Sequence, residues 1–235
     1  MVQIMKKGNE KGLEYLSGGS LIHSSVVLTT AHNLKKPNIN VSSISVRAAD
    51  WKVRNELEKS TYQNSNVESI VIHEHYYAKM LWNDVSLLFL EKPFIISPNI
   101  NPICLPPQDQ RFDNRRCIVS GRSQNTYDVP IVSHQECKMS LDSTNMLSTH
   151  FRLHDSFICA GGEEGIDSCQ GDVGSLLICP ISNKEGYYYQ AGIKSWGIGC
   201  ETEGVPGVYV KISKFRNWID RKLNDRDLST DSYTN

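Results

Sequence analysis

The sequence predicts an all-β fold, a barrel or a sandwich, rather than alternating βαβ units. Three observations predict it. Short β-branched or alternating runs recur along the whole chain, turn residues separate them, and only the C-terminal end carries a convincing helical stripe.

In chain order the runs are SLIHSSVVLTT (20–30), SSISVRAA (42–49), VESIVIH (67–73), DVSLLFL (84–90), RCIVS (116–120), YYYQAGIKSW (187–196) and GVYVKI (207–212). Each has the length and the β-branched or aromatic content that suits a pleated, half-buried surface. The helix comes last: Ser213 is placed as its N-cap, and Phe215, Trp218, Ile219 and Lys222/Leu223 form the stripe. Beyond it the tail NDRDLSTDSYTN is polar and is expected to fray. Pro93 and PNINPICLPPQ (98–108) mark a join between two halves.

The 235 residues, 39% hydrophobic, suffice for one large domain or two closely joined halves. A net charge of −1 offers no basic field for nucleic acid or an acidic membrane, and no apolar run approaches the ~18 residues that span a bilayer. The start, MVQIMKKGNEKG, does not read as a signal peptide. Seven cysteines without a CxxC pair argue against zinc and for disulfides in an oxidising, extracellular setting; the odd count leaves one thiol over. No metal or cofactor is expected. Asn40-Val41-Ser42 is a sequon, so Asn40 would accept a glycan on a secreted chain. His73 and His75 form an HxH without a third ligand, and His154-Asp155-Ser156 spells three catalytic residue types too close together to work as a triad.

Four stretches in fixed order carry more: VVLTTAH (26–32), NDVSLLFL (83–90), DSCQGDVGSLLIC (167–179), and SWGIGC with VPGVYV (195–200, 205–210). Together they resemble the chymotrypsin family of serine proteases over nearly the whole chain. ICLPPQDQRFDNRRC (103–117), LHDSFICAGGEEG (153–165) and YYYQAGIKSWGIGC (187–200) are similar to the arthropod clip-domain serine protease homologs, including the non-catalytic phenoloxidase-activating factors.

The resemblance implies two antiparallel six-stranded β-barrels with a cleft between them. A trypsin-like domain would span 1–224, with barrel one at about 1–100, barrel two at about 101–212, a helix at about 214–223, and a polar tail at 225–235. It further implies that His32 stands at the general base and Asp84 at the carboxylate orienting it. Val173 stands at the nucleophile, within an oxyanion loop of Gly171, Asp172 and Val173. An isopropyl group offers no nucleophile, and loss of the serine alone costs on the order of 10⁶ in turnover. Ser175, two residues on, is expected to point away from His32. Asp167 would lie at the base of the primary pocket, with Ser195 and Trp196 at its edge and Gly197 and Gly207 in its walls. That is the pattern for an arginine or lysine side chain. The implied disulfides are Cys117–Cys179, Cys137–Cys159 and Cys169–Cys200, with Cys104 unpaired in this chain and bridged in the family to an upstream segment.

The pattern breaks in three places. Ser17 and Asn33 stand where the family carries a bridge beside the histidine loop, a loss of about 2–4 kcal/mol. Met1 aligns inside the first strand, so clip domain, signal peptide and activation site are expected to be missing, and Asp172 is expected to lack the amine it would receive in the family. The stretch 121–137 is short, with Arg122 in place of a tryptophan, and is expected to lose a loop and most of a strand of the second barrel. The resemblance implies a secreted, catalytically inactive binding protein or cofactor of a melanisation cascade, with prophenoloxidase or its activating proteases as partners. A venom-type antagonist, a residually active trypsin-like peptidase and a partial gene product are the alternatives.

Overall fold

The computed structural model describes residues 1–234 apart from 9–11, 38, 50–61, 121–125, 149–150, 164–173 and 199–202. In the first half, β1 (Val2–Lys7), β2 (Leu13–His23), β3 (Val26–Thr29), β4 (Ile44–Ala48), β5 (Gln63–Ile72) and β6 (Ser86–Leu90) close into an antiparallel barrel in the order β1-β2-β3-β6-β5-β4. In the second, β7 (Arg116–Ser120), β8 (Thr126–Val132), β9 (Phe157–Ala160), β10 (Leu176–Pro180), β11 (Tyr188–Trp196) and β12 (Gly207–Lys211) close in the order β7-β8-β9-β12-β11-β10.

The second barrel is complete, contrary to the expectation for 121–137. Strand β8 pairs with β7 (Cys117↔Val129) and with β9 (Val132↔Cys159). Val129 and Ile131 alternate inward with the period of a half-buried strand, so the short segment keeps the strand that the barrel needs.

Four apolar clusters hold the described residues together, one of them formed by Cys137, Leu141, Phe157 and Val208 where the helix α1 (His134–Ser143) meets β9 and β12. Ile4, Leu21, Val27, Ile44, Val46 and Leu88 fill the first barrel. Val119, Val129, Ile131, Leu177, Ala191 and Tyr209 fill the second. At the seam, Ile22, Leu28, Leu87 and Phe89 meet Ile193 and Val210. The helix α2 (Arg216–Asn224) adds Ile219 and Leu223 to the same cluster. Each such side chain contributes roughly 1.5–3 kcal/mol through burial. Strand β6 is buried on both faces, Leu88 toward the barrel and Leu87 and Phe89 toward the seam. Hence SLLFL reads as an unbroken apolar run.

Three local expectations change. Ser213 does not cap α2: it lies buried in the tight turn Ile212–Lys214, and Phe215 precedes the helix without a side-chain cap. A second helix, α1 (His134–Ser143), had no place in the sequence reading. Its signal is the capping box, in which Ser133 Oγ accepts from Glu136 N–H and Glu136 Oε2 accepts from Ser133 N–H. The Cys137–Cys159 disulfide then ties α1 to β9.

The tail does not fray. Tyr233 is fully buried, donates its O–H to Asp220 Oδ1 (2.8 Å) and accepts Leu105 N–H at its carbonyl (2.9 Å). Ser232 Oγ donates to Ile22 O (2.7 Å), so the tail reaches the first barrel. One aromatic in a polar segment is enough to anchor it, since its burial outweighs the ordering of a few short side chains.

His73 and Glu74, at the end of β5, dock α2. The His73 ring packs edge-on against Phe215 and tilted on Trp218, and burial lowers its pKa. That environment makes it a packing residue. Glu74 accepts from Trp218 Nε1 (2.7 Å) and pairs with Lys222. Partial burial works to raise the Glu74 pKa, but the bonds from Lys222 and Trp218 outweigh it and hold the carboxyl at about 2. A carboxylate depressed in this way adds stability above its unfolded pKa and loses it as pH falls through the folded value. Glu74→Gln is therefore expected to lower the Tm at pH 7 by about 2–4 °C, about 1 kcal/mol for a half-exposed pair. In thermal melts the gap to wild type should close as the pH drops toward 2; a gap that widens there would contradict this account.

Candidate functional site

The strand pairing builds the centre of the site. Thr29 of β3 faces Ser86 of β6, which sets the residue stretch after β3 beside the one before β6. His32 and Asp84, 52 positions apart, therefore meet: His32 Nδ1 lies 2.7 Å from Asp84 Oδ2. Ala31 and His32 donate their backbone N–H groups to Asp84 Oδ1 at 2.9 and 2.8 Å. From the second barrel, Ser195 Oγ donates to Asp84 Oδ2 at 2.6 Å. An ionised carboxylate only accepts, so the His32 proton sits on Nδ1 and Nε2 is left as the basic nitrogen. Asp84 is fully buried, whereas the His32 side chain keeps 18% of its exposure. Burial and the Asp84 charge push Tyr76 up to about 12, so this neighbour remains a neutral phenol.

Gly171, Asp172 and Val173, expected to form an oxyanion loop, Asp167, expected at a pocket base, and Cys169 and Cys200, expected to pair, lie outside the described residues. The chain re-enters at Gly174, whose φ of 87° a side chain would strain and whose N–H donates to Lys194 O (3.1 Å). Ser175 follows, fully buried, and its hydroxyl makes no hydrogen bond among the described residues. It therefore makes no hydrogen bond to His32 through which it could be activated.

The remaining pocket residues divide. Ser195 turns inward to Asp84. Trp196 packs edge-on between Phe151 and Phe157, with ring centroids 5.8 and 5.9 Å away. Gly197 and Gly207 both face the side chain of Lys194, a residue the sequence reading did not single out.

His154-Asp155-Ser156 is a structural unit. His154 Nδ1 and Ser156 Oγ meet at 2.9 Å, a local contact on the nitrogen that a triad would turn to its carboxylate. Ser156 also accepts the N–H of Asn83, while Asp155 turns to Lys214. The serine is fully buried and links the second barrel to the residue preceding Asp84. Disulfides join Cys117 to Cys179 and Cys137 to Cys159, and Cys104 is a free, half-buried thiol whose pKa burial raises. Asn40 is exposed, and the tight turn Val41–Ser43 uses its amide oxygen. No group of three or more metal-ligating side chains occurs among the described residues, and no described helix is long and apolar enough to cross a membrane.

Two closed barrels with a histidine–aspartate pair at their junction define a chymotrypsin-like protease fold. The chain belongs to the trypsin family, whose model matches residues 1–219. It is 40% identical over 234 residues to phenoloxidase-activating factor 2 of Galleria mellonella, covering 94% of this chain and 76% of that protein. It is 36% identical to the inactive CLIP domain-containing serine protease A8 of Anopheles gambiae (95% and 63% covered). Its identity to A28 of the same mosquito is 32% (96% and 60% covered). The chain thus spans about three-quarters of the first relative and three-fifths of the other two. The names of the two mosquito proteins describe inactive serine proteases, and that of the first relative a phenoloxidase-activating factor.

The geometry makes Asp84 a structural centre. Asp84→Ala would orphan two backbone N–H groups and the Ser195 hydroxyl at a buried position. The expected loss is about 3–5 kcal/mol in urea unfolding, against about 1–3 for Ser195→Ala. A loss below that of Ser195→Ala would show that Asp84 does not bear on the fold.

Proposed function

We propose that the protein is a secreted, catalytically inactive trypsin-family member. It serves as a binding cofactor in a melanisation cascade and presents its cleft and surface loops to prophenoloxidase or its activating proteases. The observation that carries this reading is Val173 at the nucleophile position of an otherwise recognisable Gly-Asp-x-Gly loop. A histidine–aspartate pair without an oxygen or sulfur to activate cannot form an acyl-enzyme. The names of the relatives support the same reading, both for inactivity and for phenoloxidase activation.

Purified protein is expected to show no turnover of arginine or lysine esters above background and no labelling by a fluorophosphonate probe. Turnover that vanishes in Ser175→Ala would overturn the proposal. Val173→Ser alone should restore little, because Ser175 and Leu176 also depart from the family loop and the oxyanion donors depend on that loop's shape. For the cofactor role, purified prophenoloxidase and its activating protease should give more active phenoloxidase when this protein is added. No change in yield, at stoichiometric amounts, would reject it.

A further inference from the structure

The two glycines assigned to the walls of the primary pocket do not border an empty slot. A β-carbon at Gly207 would collide with Lys194 Nζ and lie 3.4 Å from its Cε; one at Gly197 would lie 3.6 Å from Nζ and 3.8 Å from Cε. The lysine ammonium therefore occupies the space between the two walls. Lys194 is buried, with 7% of its surface exposed, and Nζ stands 5.0 Å from the centroid of the Tyr209 ring, a cation–π contact. Long cationic side chains normally bury the stem and keep the head in water. Here the head itself is inside.

The backbone fixes that direction. Lys194 N–H donates to Ser175 O (2.9 Å), its carbonyl accepts Gly174 N–H (3.1 Å), and the next residue, Ser195, is held by Asp84. Across the ladder Lys194 pairs with Tyr209, two residues beyond Gly207. A residue held on both sides in this way cannot swing its side chain out without breaking β11.

We propose that Lys194 is a built-in occupant of the specificity pocket. Its ammonium takes the place of a substrate's arginine or lysine side chain, so the pocket is closed to cationic ligands and partners are recognised outside it. The inference is independent of the melanisation role, since it concerns what the cleft can accept whichever partner is bound.

Titration with p-aminobenzamidine, followed by its fluorescence, tests the inference on the intact chain. Wild type should not bind. Lys194→Ala should open the slot and bind at least about tenfold more tightly than wild type. Lys194→Met, whose uncharged stem still fills the space, should not bind. Wild-type binding equal to that of Lys194→Ala, or no binding by a Lys194→Ala protein with a native circular dichroism spectrum, would overturn the proposal. Should Lys194→Ala fail to fold, acetylation of native wild type followed by peptide mass mapping decides. Lys194 should react far more slowly than the exposed Lys79, and equal rates would overturn the proposal.

Discussion

The arrangement turns on one buried carboxylate. Asp84 accepts from two backbone N–H groups and a histidine ring of its own barrel and from a serine hydroxyl of the other. A charge removed from water is tolerable only when its lone pairs are met, and here the donors come from two separate segments, residues 31–32 and Ser195. Satisfying them fixes where β3 ends, where β6 begins and how β11 approaches. The neighbouring Asn83 N–H reaches Ser156 of the second barrel, a further stitch at the same point. The relation between the barrels follows from this polar cluster together with the apolar seam that α2 covers.

The persistence of a histidine–aspartate pair is therefore weak evidence for catalysis. The same contacts that would orient a general base also hold the junction, and they do so whether or not a nucleophile is present. Lys194 belongs to the same architecture: the strand that delivers Ser195 to Asp84 carries Lys194 between the pocket walls. Closing the pocket and bracing the junction are two results of one strand placement.

Much of this was legible in the residues. The β-rich class followed from run length and spacing, and the positions of His32 and Asp84 from motifs in fixed order. What escaped depended on context that a linear pattern does not carry. Helix α1 is announced only by Ser133 and Glu136, because its few buried side chains, Cys137 and Leu141, give a weak stripe. Strand β8 hid in a segment judged by its length rather than by its alternation. Tyr233 looked like one more residue in a polar tail, since its pocket is formed by Asp220 and Arg216 of α2. Lys194 reads as an ordinary polar position in YYYQAGIKSW. Its one clue is a cation between Ile193 and Ser195, inside a run otherwise buried, and only the pairing of β11 with β12 brings it against Gly207.

At the junction Gly18 and Gly174 touch backbone to backbone: a β-carbon on Gly18 would stand 2.8 Å from the Gly174 carbonyl oxygen, and one on Gly174 would strike Gly18. Adjacent positions of one loop thus answer to different demands. At residue 173 the resemblance to serine proteases implies a demand of chemistry alone, which a member without turnover need not meet. Residue 174 is held by geometry, and a single methyl group there would wedge the two halves apart. An enzyme of this architecture can therefore retire in one mutational step and keep its shape, which makes it a ready source of docking proteins.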